Sequence, residues 1–544
     1  MKSKWWTPVL TAAVLCPLTH EANAARSPEN QVFQWSVTSS NTLWPENDRN
    51  SATAYLWIPE GCAELHGLLV LGANVPEHML VGHPAIREAC ADLDFGIVWA
   101  VPTFWNFRHA CKGYDEKQVV FLEDLLKRLA DLSGYAEVAH VPWLPIGESG
   151  HLLMVCGLIN QRPEKCIAGI CVKNPHEPQN KTVPLLWTLG TAQEWGQAHK
   201  DIRASWHDTS DYLQWSAKRA AHGWPLSIVI EHGTGHFFCT DAMTDYFANY
   251  IRAAGQTRLL NNRSHGLKEV NLDCGVLANL PLAGHGDLAV IPYAEAEEKQ
   301  QNRPWFFNAS LARAAQRLSE PGPAKEAQLT SIEPVAGCHI EPYALNSVTK
   351  LYVKSDGEFS VRPALLDRIP NGFVGAGEPL SRSAGEPVVE WLSGPFAPAG
   401  GNTFRIAADR TWTGHSAAYL VVQHEGDHRV RRAVQPVHVT IERNDIGAAQ
   451  TIAFDPIPDV PIGTRKVKLS ATSDAGLPVS FFVNHGPAVV QGDTLKLTPV
   501  PLKAKLPLEI SVTAWQWGRA TEPQVQTARP VTEVFRILPV EPAE

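Results

Sequence analysis

The chain has 544 residues, of which 44% are hydrophobic and 19% charged, with a formal net charge of -9. That balance excludes a disordered or fibrous chain, and the acidic surplus argues against a nucleic-acid backbone or an anionic membrane surface as the main partner, because no basic excess is present to release counterions. Single hydrophobic cores stop growing at roughly 250–300 residues, so several domains are expected.

Residues 1–24 read as an export signal. Lys2 and Lys4 give a positive start, an apolar stretch runs from Trp5 to Leu18, and Ala22-Asn23-Ala24 offers the small residues that a signal peptidase reads. The stretch is short and interrupted by proline, so it does not span a bilayer comfortably. A secreted or periplasmic mature chain without a membrane span is therefore expected. Of the ten cysteines, Cys16 leaves with the signal. An oxidising compartment permits disulfides among the rest, but the odd count leaves at least one thiol over and the spacing does not fix connectivity. Cys166 and Cys171 bracket one apparent strand, too far apart for an easy bridge. No cysteine spacing resembles a zinc site.

From Ser51 to about Gly255, short apolar runs alternate with helical stretches. The runs are Leu68–Leu71, Phe95–Val101, Trp143–Ile146, Cys166–Val172, Pro184–Leu189 and Pro225–Ile230, each apolar on both faces, as strands of a buried parallel sheet are. Between them Lys117–Leu132 places Val119, Leu122, Leu125, Leu126 and Leu129 on one helical face. The alternation predicts an α/β domain with a mostly parallel, doubly wound sheet. It is given residues 25–335, with a helix expected over Trp305–Leu318. Beyond Pro334, β-branched runs broken by Gly, Pro, Asp and Asn predict two smaller all-β sandwich-like domains, 336–446 and 447–544.

The segment Pro145-Ile146-Gly147-Glu148-Ser149-Gly150-His151-Leu152-Leu153 runs from an apolar strand through Gly-x-Ser-x into an apolar helical stretch. This resembles the nucleophile elbow of the α/β-hydrolases, in which a strained turn lifts a serine above the sheet. Gly147 and Gly150 leave room for such a turn, while His151 stands where that family usually has glycine. The resemblance implies a serine hydrolase with Ser149 as nucleophile and the chain order nucleophile, acid, histidine. The late strand Pro225–Ile230 is followed by Glu231-His232-Gly233-Thr234-Gly235-His236-Phe237, which resembles the family's histidine loop. His236 is the candidate base, with His232 as its competitor nearer the strand. The i, i+4 spacing of these histidines is also that of zinc ligands on a helix, but Gly233 and Gly235 argue against a helix there, and the reading requires no metal and no cofactor.

For the acid, the loop after Val183–Leu189 offers Glu194, with Asp201 and Glu177 as alternatives. Oxyanion donors are expected from the backbone of Gly150 and from the loop Gly72-Ala73-Asn74-Val75, with Asn74 as the candidate. Trp105, Trp187, Trp195, Trp206 and Trp224 fall near strand ends or in loops, where tryptophan faces can stack on sugar rings or aromatic acyl groups. These readings predict hydrolysis of carboxylic esters, with polysaccharide-linked esters as a substrate class. A peptidase or acyltransferase of the same fold, or a non-catalytic carbohydrate- or surface-binding protein, are the alternatives. Ile452-Ala453-Phe454-Asp455-Pro456, Val467–Ser473, Gly476-Leu477-Pro478-Val479, Gly486-Pro487-Ala488 and Leu508–Ala514 resemble bacterial immunoglobulin-like repeats, which implies an accessory module at the end of the chain.

Overall fold

A computed structural model describes residues 31–40, 51–101, 116–191, 201, 209–260, 266–281, 287–320, 325–333, 335–341, 349–411 and 418–540. The proposed signal, residues 1–24, lies outside them, as do Trp105, Cys111, Glu194, Trp195 and Trp206.

The first part of the chain builds an eight-stranded sheet from β1 (Trp35–Ser40), β2 (Ser51–Trp57), β3 (Gly67–Leu71), β4 (Phe95–Val101), β5 (Trp143–Glu148), β6 (Gly169–Val172), β7 (Leu185–Gly190) and β8 (Leu226–Glu231). Their order across the sheet is β1-β2-β4-β3-β5-β6-β7-β8. β1 and β2 are antiparallel additions at one edge, and all other neighbours run parallel. Strands β3 to β8 are buried along their whole length, which is why their sequences carry no polar alternation.

The helices are α1 (Val75–Leu80), α2 (Pro84–Asp92), α3 (Glu116–Ser133), α4 (Leu152–Gln161), α5 (Thr209–His222), α6 (Asp241–Arg258) and α7 (Ala309–Leu318). α2 packs on α6 and α6 on α7, whereas α3 packs on β1 and α4. The predicted stripe of α3 is buried as expected. The expected helix over 305–318 starts later. Trp305 and Phe306 pair instead with Val276–Leu277, and the helix begins after Asn308, whose Oδ1 accepts the Leu311 N–H at 2.9 Å.

Mostly antiparallel β structure follows, with the parallel pairing of Thr349–Val353 and Val437–Ile441 as an exception. A five-stranded sheet contains β9 (Cys338–Glu341), β10 (Thr349–Val353), β11 (Val388–Ser393), β12 (Tyr419–His424) and β13 (Ala433–Ile441), in the order β9-β10-β13-β12-β11. One of its faces packs Leu420, Val422, Val437 and Val439 against Phe359, Phe396 and Phe404 of a three-stranded partner sheet. The last part of the chain forms a four-stranded and a three-stranded sheet. It is fastened to the α/β domain by backbone bonds from Gly486 to Phe33 (2.9 Å) and from Lys505 to Ser133 (2.9 Å). No helix among the described residues is long and apolar enough to cross a membrane.

All eight described cysteines are free thiols, six of them buried. Burial pushes the Cys90 thiol up to about 12, as expected of cysteines that serve as small core hydrophobes.

Candidate active site

β5 ends at Glu148, and the chain turns at once through Ser149–His151 into α4. Ser149 has φ 51, a left-handed conformation that a side-chain-bearing residue holds only when its surroundings impose it. Gly147 makes the turn possible: a Cβ there would lie 2.5 Å from the His151 carbonyl oxygen. Ser149 is partly exposed at the carboxyl end of the sheet, with Gly150 and His151 beside it.

The loop after β8 brings His236 over the same sheet end, and His236 Nε2 lies 2.8 Å from Ser149 Oγ. Several contacts fix this loop. It passes so close over β7 that a Cβ on Gly190 would meet the Thr234 carbonyl oxygen at 2.2 Å. Thr191 Oγ1 accepts the Gly233 N–H at 2.8 Å. The fully buried Lys173 donates from Nζ to Glu231 Oε2 and to Thr234 Oγ1, each at 2.8 Å. Burial alone would raise the Glu231 carboxyl, but Lys173 and Thr240 together hold it below its ordinary range. The competitor His232 is turned away to Thr191 Oγ1, 3.3 Å from its Nδ1, and its N–H donates to the Leu318 carbonyl. The histidine that meets Ser149 is thus His236. No group of three or more metal-ligating side chains occurs among the described residues.

Two buried carboxylates adjoin this pair, and sequence reasoning passed over both. Glu148 Oε1 lies 3.3 Å from His236 Nε2, and the Asn74 side-chain amide donates to Glu148 Oε2. Glu77 Oε1 accepts the Glu148 N–H at 3.1 Å and the His151 ring at Nδ1, 2.7 Å away. Both glutamates are 0% exposed. Glu148 fills the variable position of Gly-x-Ser, and a carboxylate closing an apolar strand is the signal the sequence offers, since charged groups are rarely buried without partners. Next to Glu77, burial and then the charge of His151 push His78 down to about 3, so this imidazole, edge-on to Trp99 at 5.0 Å, is neutral.

Asn74 therefore reaches the site, but its side chain is committed: Oδ1 accepts the Val75 N–H at 3.0 Å at the start of α1 while Nδ2 holds Glu148. Of the acid candidates, Glu194 lies outside the described residues. Glu177 is engaged by Lys181 at 2.8 Å and by Lys218, and the charge of Asp201 acts on the partly buried Arg431. The proposed sugar-stacking role fails for Trp187 and Trp224. Both are core residues, 2% and 0% exposed, packed edge to face at 5.2 Å, and Trp224 precedes β8, at the strand end opposite Ser149.

No protein-family model matches this sequence, and no curated protein matches it. Its structure is similar to a thermostable esterase, 13% identical over 38% of this chain and 55% of that one, with a TM-score of 0.27. It is also similar to a siderophore hydrolase from Aspergillus nidulans, 8% identical over 47% of this chain and 99% of the other, TM-score 0.30. A third is a fluorophosphonate-binding serine hydrolase of Staphylococcus aureus, 10% identical over 41% and 97%, TM-score 0.26. The α/β reading rests on the strand order and directions described above.

Proposed function

We propose that this protein is an exported serine hydrolase that cleaves carboxylic esters, with polysaccharide-linked esters as a substrate class. The observation that carries the reading is the 2.8 Å approach of His236 Nε2 to Ser149 Oγ, with Ser149 held at φ 51 where the central strand β5 ends. A serine hydroxyl becomes nucleophilic when a base takes its proton in the attack, and this is the distance that transfer requires.

In the reaction, Ser149 Oγ attacks the ester carbonyl as its proton passes to His236 Nε2. The tetrahedral oxyanion is received by the Gly150 N–H and by backbone donors of the loop at Ala73-Asn74, the Asn74 side chain being occupied by Glu148. His236 then protonates the departing alcohol, and water repeats the sequence on the acyl-enzyme. Glu148, 3.3 Å from the same ring nitrogen, stabilises the positive charge that the imidazole gains, and Glu194 is the proposed acid at its other nitrogen.

The test is labelling by a fluorophosphonate together with turnover of simple esters. Both are expected in the wild type, and both are expected to vanish in Ser149→Ala, with ester turnover falling by about 10⁶-fold. Labelling that persists in Ser149→Ala would remove the assignment.

A further inference from the structure

The five-stranded sheet β9-β10-β13-β12-β11 has an apolar core face and, on its other face, a buried apolar patch. Along β12, Leu420 and Val422 point into the sandwich core, while the alternate residues Tyr419 and Val421 point the other way. A sheet face turned to solvent would carry polar residues there. Here Val421, Leu392 of β11 and Val434 of β13 instead form one buried cluster with Val75 of α1 and Phe238 of the histidine loop. Arg432 closes the seam, its guanidinium 5.7 Å from the Phe238 ring centre. The sheet is therefore seated on the two segments that carry Asn74 and His236.

Three apolar side chains at this seam remain partly exposed: Met79, Phe237 and Tyr419. The Phe237 ring stands perpendicular to the His236 ring, 4.7 Å away. Tyr419 packs against the same cluster as Phe237, and burial, with the charge of Glu148 after it, pushes its phenol up to about 12. From the imidazole outward, the wall thus runs from the α/β domain to the β sheet. The imidazole hands its proton to the departing alcohol, so the group beside this wall is the alcohol part of an ester.

We infer that the β9–β13 sheet is part of the catalytic unit and that Tyr419 is a specificity-determining residue, selecting esters with an apolar or aromatic alcohol. The inference rests on the serine-hydrolase reading and adds the substrate side that the sheet recognises. One methylene in an apolar pocket changes discrimination by about 10–200-fold, so loss of a whole ring is readily measured.

The experiment compares kcat/KM for 1-naphthyl acetate and ethyl acetate, which share one acyl-enzyme, in the full-length wild type, Tyr419→Ala and Tyr419→Phe. Tyr419→Ala is expected to lower the naphthyl-to-ethyl ratio by about tenfold or more while Ser149 still reacts with a fluorophosphonate. Tyr419→Phe, which keeps the ring, is expected to keep the ratio. If Tyr419→Ala does not fold, Tyr419→Leu takes its place with the same expectation. An unchanged ratio in the truncated variant, or an equal loss on both esters, overturns the inference and leaves Ser149 labelling intact. A wild type that neither labels nor turns over any ester overturns the hydrolase reading itself, and the inference with it.

Discussion

The Glu77 carboxylate holds the His151 imidazole at 2.7 Å from inside the protein. The same oxygen accepts the N–H of Glu148 at 3.1 Å, so one buried side chain on α1 grips the residues on either side of Ser149–Gly150. His151 is in this way part of the clamp on the turn.

Removing that clamp is expected to loosen the turn before it unfolds the domain. Glu77→Ala leaves a buried N–H and an imidazole without their acceptor, at about 1–3 kcal/mol each. Glu77→Gln keeps an amide oxygen for the Glu148 N–H and should recover roughly half of the loss. Urea unfolding gives the stability, and the rate of fluorophosphonate labelling gives the geometry of Ser149. Equal labelling rates in all three proteins would show that the turn holds itself.

Gly147→Ala tests the turn from the strand side. The added Cβ would sit 2.5 Å from the His151 carbonyl oxygen, a backbone atom that cannot swing away. The turn must shift, and a shift of about 1 Å in a reacting group costs about 100-fold. Labelling is expected to slow by that factor while circular dichroism retains the folded signal.

These two residues also mark what could be read in the sequence. Gly147, Ser149 and His236 were legible because strand, turn and helix follow one another along the chain, and because strands buried on both faces announce themselves as unbroken apolar runs. Glu77 was not, since its partners lie 71 and 74 positions away and no periodicity connects them. The wall from β12 was hidden for a related reason. Tyr419-Leu420-Val421-Val422 reads as a plain core strand, and only its docking on Val75 and Phe238 distinguishes the two faces. Trp224 misled because aromatic residues near strand ends are as common in cores as in sites.

Glu148 separates electrostatic support from packing. Glu148→Gln preserves shape but removes the charge 3.3 Å from His236 Nε2. Hydrogen bonds and contacts to charged groups are worth about 1.5–3 kcal/mol, so kcat/KM on a simple ester is expected to fall by about 10–100-fold. An unchanged rate would reduce Glu148 to a filler.

Lys173 and Glu231 supply the strongest stability prediction. Both side chains are buried, and they meet at 2.8 Å beneath the loop that delivers His236. Breaking such a pair from one side leaves an uncompensated charge and costs about 3–5 kcal/mol, whereas replacing both members by apolar residues is often near neutral. Lys173→Met should therefore destabilise strongly, and Lys173→Met with Glu231→Leu should recover most of the loss in thermal unfolding. The pH dependence follows from the sign of the Glu231 shift. Its carboxyl lies below the ordinary range in the folded protein, so its contribution is fully present above the unfolded value of about 4.3 and is lost as pH falls through the folded value. The double variant lacks this group, and its stability should decline less steeply below about pH 4 than that of the wild type. Parallel acid slopes would mean that other carboxylates govern acid unfolding. Because the pair also pins Thr234, a repacked double variant that is stable yet labels slowly would show that the ion pair positions His236.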